Sequence, residues 1–213
     1  MHRKKYTPEE IRRHAERFFA VAGIEFLGAG NDCEAFCVND AFVFKFPKHA
    51  KANRRLQNEM AFLRQIRDRL EVEVPNVLCD GTFDAGGDRF SFFASKKLRG
   101  ETLTKAGFLA LGPEKLERAA AKIAGFLKTL HGMPVSTGLG AGVPLHGDFS
   151  LDHVLFWNGE VSGILDFADT RTGKPEDDFV YLLDDADPDE FGRDFGEAVL
   201  RLYLDAGGGT IGI

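Results

Sequence analysis

Near residue 100 the spacing of apolar residues changes, and that change limits what this chain can fold into. Before it, short runs alternate apolar and polar positions. "IEFLGAGNDCEAFCVNDAFVFKFPK" (24–48) holds three such runs, and "VLCDGTFDAGGDRFSFFASKKL" (77–98) holds two more. A period of two marks strands with one buried face. "NDAF" and "DAGGD" supply turns, so neighbouring runs pair as antiparallel strands. Between them, "RRLQNEMAFLRQIRDRL" (54–70) sets Leu56, Met60, Leu63, Ile66 and Leu70 on one helical face. Ahead of them, "TPEEIRRHAERFFAVAG" (7–23) reads as a helix, with Thr7 as its cap, Pro8 in its first turn and Gly23 at its end. After residue 101 the period becomes helical. "PEKLERAAAKIAGFLKTLHG" (113–132), "DDFVYLL" and "EFGRDFGEAVLRLYLDAG" read as helices. One hairpin interrupts them, "HVLFW" and "VSGILDF" joined by "NGE". The expected fold class is therefore α+β. A sheet-rich part over residues 1–95 is joined through 96–100 to a mainly helical part over 101–213.

Bulk properties exclude several classes. A chain of 213 residues builds one large domain or two lobes sharing a core. No apolar run approaches the roughly 20 residues that span a bilayer. "MHRKKYTPEE" is basic but precedes no apolar stretch, so it is not read as a secretory leader. Cys33, Cys37 and Cys79 are too few and too scattered for a disulfide framework, and no second Cys/His pair completes a zinc site. The expectation is a monomeric cytoplasmic protein with reduced thiols and no nucleic-acid or membrane partner. Charge is uneven: residues 1–147 carry 23 Lys/Arg against 17 Asp/Glu, and residues 148–213 carry 4 against 16. A part that attracts anions followed by one that attracts cations suits an enzyme with two substrates, although charge also varies along any solvated surface.

Five residues stand in a suggestive order. Lys45 lies among phenylalanines in "FVFKFP", where an ammonium needs an anionic partner or a path to water. Glu59 follows on the next helix, placed either to pair with Lys45 or to face solvent. Asp148 ends an apolar run after "HG", where a carboxylate is able to take a proton from a hydroxyl. Asp166 ends the second strand of the hairpin, and His153 lies between the two aspartates. Hard divalent cations need only one or two protein carboxylates when phosphates and water complete their shell. Each residue alone has an ordinary structural reading; the order of all five on these element types favours phosphoryl transfer.

"HGDFSLDHVLF" followed by "GILDFADT" resembles the aminoglycoside phosphotransferases, most closely the branch acting on the 2″-hydroxyl, which also has His where other members have Asn at the position of His153. "NDAFVFKFPKH" and "DDFVYLLDD" extend the likeness over about residues 24–205. The resemblance implies a bilobal protein-kinase-like fold, with an antiparallel-sheet N-lobe and a mainly helical C-lobe. Mg²⁺ would be the metal and ATP or GTP the donor. By that resemblance Asp148 would be the base, and His153 and Asp166 would hold the metal. Lys45 would meet the α/β-phosphates, oriented by Glu59. Gly28, Gly30, Asn31 and Asp32 would cover the phosphates. Ser95, Lys96, Lys97 and Leu98 would form the base-binding hinge. Asp178 would brace the catalytic loop. Asp148, Ser150, Asp184 and Asp185 would meet an aminoglycoside, and Asp187, Asp189 and Glu190 would add to its attraction.

Two departures from the family pattern fall on the acceptor side. Only residues 133–144 separate "LHG" (130–132) from "LHGDF" (145–149), where relatives carry a longer helical stretch. About 47 residues follow Asp166, and the last, "GGGTIGI", read as frayed or non-native. Ala168 stands where many kinases have Gly, and Asp169 matches a second acid. Besides an antibiotic phosphotransferase, the sequence admits a kinase of another small hydroxylated compound, or a nucleotide-binding remnant with weak catalysis.

Overall fold

A computed structural model describes residues 5–134, 142–209 and 211–212. The chain forms two compact units: residues 1–64 with 75–97, and residues 65–74 with 98–213.

The first unit opens with helix α1 (Pro8–Ala15), closed by a reciprocal cap between Thr7 and Glu10. It ends earlier than the sequence suggests. Residues 16–19 turn, so that Phe19 stacks on Phe42 at 4.5 Å and Arg12 reaches the Val21 carbonyl at 2.6 Å. Strands β1 (Ile24–Ala29), β2 (Cys33–Val38) and β3 (Phe42–Pro47) follow as expected. Helix α2 (Ala50–Ile66) starts and stops about four residues before the expected 54–70, and its first turn is tied by Ala52 N–H to His49 Nδ1. Strands β4 (Val77–Ala85) and β5 (Asp88–Lys96) complete an antiparallel sheet in the order β1-β2-β3-β5-β4. Alternation sends Phe36, Phe44, Phe46 and Phe92 to one face, where they pack with Tyr6, Ile11 and Ala15. Each such burial stabilises by about 2 kcal/mol. Lys45, out of phase with Phe44 and Phe46, faces the other side.

In the second unit, β6 (Glu101–Thr102) precedes helices α3 (Lys105–Leu109) and α4 (Pro113–His131). Strand β7 (Val143–Leu145), the hairpin β8 (Val154–Trp157) and β9 (Glu160–Ile164), and β10 (Arg171–Gly173) come next, then α5 (Arg193–Asp205). β6 edges the hairpin in a three-stranded sheet, and β7 pairs with β10. The core of this unit buries Ile123 and Leu127 of α4, and Phe191 packs on Phe108 and Phe149 with ring centroids 5.6 and 6.1 Å apart. "DDFVYLL" is not a helix: a 3₁₀ turn over Pro175–Phe179 leads into irregular chain, because Asp178 turns inward to bind backbone N–H groups. The connector expected over 133–144 falls mostly outside the described residues. Of "GGGTIGI", residues 210 and 213 do as well. Gly207–Gly209 do not fray: Gly208 N–H binds the Tyr203 carbonyl at 2.9 Å, and a Cβ on Gly208 would lie 2.2 Å from the Tyr203 ring. Among the described residues no helix is long and apolar enough to cross a membrane.

Candidate active site

In the first unit, strand pairing sets Lys45 between Ala35 and Phe93 and turns its stem toward α2. Its Nζ lies 2.9 Å from both carboxylate oxygens of Glu59, which is 1% exposed. A buried carboxylate with that geometry is held mainly by its cation. Gly28 near the end of β1 and Gly30 in the β1–β2 turn are both uncrowded: a Cβ at either would meet no atom beyond its chain neighbours within 4 Å, so the backbone there stays open to a ligand. Asp32 has a different surrounding from the one the sequence suggests. Its carboxylate takes Arg55 at 2.8 Å and His49 at 3.4 Å, and its carbonyl takes Lys48 N–H at 2.8 Å. Lys48 Nζ binds the Gly30 carbonyl. The turn is thus tied to α2, the helix that also carries Glu59. Asn31 is exposed at its tip.

The expected hinge residues separate. Ser95 is buried opposite Val43 and Val77. Lys96 pairs with Phe42 at the strand end. Lys97 extends to Asp40 at 2.6 Å, a contact that raises its pKa. Leu98 belongs to the second unit and packs near Gly163.

In the second unit, the segment after β7 is built on backbone hydrogen bonds. Asp178 is buried, and its Oδ2 and Oδ1 accept His146 N–H at 2.9 Å and Gly147 N–H at 2.8 Å. Its Oδ2 also lies 3.1 Å from His131 Nε2. Burial alone would raise this carboxyl; the His131 hydrogen bond, the two imidazoles and the Gly147 N–H outweigh it and hold the pKa below the usual value. Gly147 has φ 88°, and a Cβ there would sit 2.2 Å from the Asp169 carbonyl oxygen, so no other residue fits. Arg171 Nη1 donates to the Gly147 carbonyl at 2.9 Å. His146 is fully buried, which lowers its pKa; the neutral ring donates from Nε2 to the Leu165 carbonyl at 2.8 Å.

His153 stands between the two aspartates. Its Nδ1 lies 2.8 Å from the Asp148 carbonyl oxygen, so Nδ1–H donates there and Nε2 keeps its lone pair. Nε2 is 3.9 Å from Asp166 Oδ2, and Nδ1 is 3.9 Å from Asp148 Oδ2. Asp166 itself is left-handed at φ 58°, a conformation Asp tolerates better than most side chains and one often found at functional positions. An imidazole lone pair and a carboxylate facing each other beyond hydrogen-bond range form a donor set that fits a shared Mg²⁺.

The expected acceptor residues have local partners. Ser150 is buried and donates its hydroxyl to Asp152 at 2.6 Å. Asp184 caps Ala186 N–H at 2.7 Å, and Asp187 caps Asp189 N–H at 2.9 Å. Asp185 holds Arg193 through its N–H at 3.0 Å and its guanidinium at 3.5 Å. Glu190 is not a surface acid at all. It is buried with its carboxylate on Leu151 N–H at 3.1 Å, and burial raises its pKa. Sequence reasoning missed Tyr181, whose phenol pKa is raised first by the Asp148 charge beside it. It also missed His131 and His146; their signal was the tripeptide "LHG", which occurs twice.

The model of the phosphotransferase enzyme family (APH) matches residues 23–142 and 137–211. Among solved structures, the streptomycin–ATP–APH(2″)-IIa ternary complex is 21% identical, with a TM-score of 0.80 over 94% of this chain and 83% of that one. The GDP complex of aminoglycoside 2′-phosphotransferase-IIIa is 22% identical, with a TM-score of 0.81 over 92% and 82%. The macrolide 2′-phosphotransferase MphH from Brachybacterium faecium is 15% identical, with a TM-score of 0.70 over 95% and 84%.

Proposed function

This chain belongs to the phosphotransferase enzyme family and has the kinase-like α+β fold of the aminoglycoside phosphotransferases; on that premise we propose that it moves the γ-phosphoryl group of ATP or GTP to a hydroxyl of an aminoglycoside. The observation that carries this reading is His153 held 3.9 Å from both Asp148 and Asp166, with its Nδ1–H fixed by the Asp148 carbonyl. Asp148 takes the proton of the attacking hydroxyl. Lys45, kept extended by Glu59, meets the donor phosphates, and the open backbone at Gly28 and Gly30 lies over them. His153 and Asp166 would hold Mg²⁺, which would neutralise phosphate charge. Phosphoryl transfer asks little covalent chemistry of a protein, so catalysis here is positioning: Asp178 fixes the backbone before Asp148, and the hairpin fixes Asp166.

The likeness to macrolide phosphotransferases supports a second reading, a different hydroxylated acceptor with the same donor chemistry. Nucleoside diphosphate release tests both. With Mg²⁺-ATP or Mg²⁺-GTP, release should rise when kanamycin- or gentamicin-type acceptors are added and should vanish in Asp148→Ala. Stimulation by macrolides alone selects the second reading. Stimulation that persists in Asp148→Ala removes Asp148 as the base.

A further inference from the structure

Tyr203 lies on α5, far in sequence from Asp148, and its ring is buried. Its hydroxyl oxygen is 2.9 Å from His131 Nδ1, and Gly209 N–H approaches that oxygen at 3.3 Å. His131 ends α4, and its Nε2 is 3.1 Å from Asp178 Oδ2. Asp178 in turn accepts the N–H groups of His146 and Gly147 at 2.9 and 2.8 Å. The direction of this chain of hydrogen bonds follows from chemistry. A carboxylate surrounded by donors only accepts, so the proton between it and His131 sits on Nε2. With that proton on Nε2, Nδ1 offers a lone pair, and the Tyr203 O–H is placed to satisfy it. The Tyr203 oxygen keeps a lone pair for Gly209 N–H. Each donor and each acceptor in this network then has a partner, as buried polar networks require.

We propose that Tyr203 is a positioning residue for phosphoryl transfer. Its hydroxyl fixes His131 in the Nε2–H tautomer, His131 fixes the carboxylate plane of Asp178, and Asp178 sets the peptide units 145–146 and 146–147, just ahead of Asp148. The inference rests on the reading of Asp148 as the base, but its effect on the loop does not depend on that reading. Packing holds the Tyr203 ring in place. Phe179 meets it edge-on with centroids 5.2 Å apart, and Gly208 lies so close that any side chain there would displace it. Misplacement of a reacting group by about 1 Å costs roughly 100-fold in rate, so a smaller rotation of the loop should cost about tenfold.

Tyr203→Phe removes the hydroxyl and keeps the packing. The expected result is a kcat about tenfold lower with an unchanged nucleotide KM, and faster amide exchange at His146 and Gly147. In ¹⁵N spectra, His131 should be the Nε2–H tautomer in the wild type and a mixture in Tyr203→Phe. His131→Gln retains a donor toward Asp178 and an acceptor toward Tyr203, so it should keep more kcat than His131→Leu. Unchanged turnover, or unchanged loop exchange, in a folded Tyr203→Phe protein overturns the proposal. So does an Nδ1–H tautomer or an imidazolium at His131 in the wild type, which can be read even if Tyr203→Phe fails to fold. If Asp148→Ala leaves turnover intact, the base assignment fails; the tautomer and exchange measurements then decide the role of Tyr203 by themselves.

Discussion

Glu190 and Asp178 are both buried acids beside the loop that carries Asp148, and their environments push them in opposite directions. Asp178 accepts hydrogen bonds from two peptide N–H groups and lies beside two imidazoles, and its pKa is held down. Its contribution to stability is present above the ordinary Asp value of 3.8 and is lost as pH falls through the lowered one. Asp178→Asn removes a charge that three donors surround and turns an amide N–H toward them. We expect a loss of about 3 kcal/mol, read by urea denaturation at pH 7. Glu190 accepts one N–H and is pushed up by burial. The sign is then reversed: as pH rises from the ordinary Glu value of 4.5 through the raised one, the fold must either bind a proton or bury a charge, and stability declines. Glu190→Gln keeps an acceptor for Leu151 N–H and has nothing to titrate. Its melting temperature should therefore gain on the wild type as pH rises from 4 to 7. Parallel curves would remove Glu190 from the pH dependence.

Between elements, the Lys45–Glu59 pair links β3 to α2. Lys45→Met leaves a carboxylate 1% exposed without this cation and should destabilise by about 3–5 kcal/mol. Adding Glu59→Leu should recover most of that loss, since a well-packed apolar pair often equals a buried ion pair. Nucleotide binding should stay lost in the double variant; recovered binding would show that Lys45 does not meet phosphates. The pair is legible in the sequence because Lys45 stands between Phe44 and Phe46, out of phase with the alternation that sets the sheet's buried face. The same alternation announces β1 to β5, and the 3.6 period announces α2, α4 and the body of α5. Elements of three residues carry no period, so β7 and β10 leave no trace in it. The 3₁₀ turn at Pro175–Phe179 reads as helix because its apolar spacing is helical, while its course is set by Asp178 seeking peptide N–H groups outside its own segment. His153 is legible by its place between two aspartates; the roles of His131 and Tyr203 are not, because their partners lie 47 to 72 residues away.

For the whole molecule, the acidic excess of residues 148–213 suggests a surface that gathers a polycationic drug. Five of those sixteen acids already have local partners: Asp178 and Glu190 bind backbone, Asp184 and Asp187 cap their own turns, and Asp185 holds Arg193. Acceptor binding must then draw on the other acids, and only residues 133–144 connect α4 to the segment around β7. The residues proposed for the nucleotide are better supplied: Lys45 is bonded to Glu59 within the first unit, and His153 faces Asp166 within the second. We therefore expect the donor and acceptor to separate kinetically. The nucleotide should show a KM within the ordinary range of roughly 1 μM to 1 mM. The aminoglycoside should show a high KM, because contacts made equally in the ground and transition states raise KM when lost. Its kcat should fall as well if the lost contacts oriented the hydroxyl, since well-oriented reactants lower a barrier by up to roughly 7–11 kcal/mol. Steady-state rates with each substrate varied in turn measure the two sides independently. An aminoglycoside kcat/KM above about 10⁴ M⁻¹s⁻¹ would show that this short chain has a complete acceptor site, and that turn-capping acids such as Asp184 and Asp187 serve the drug as well as the fold.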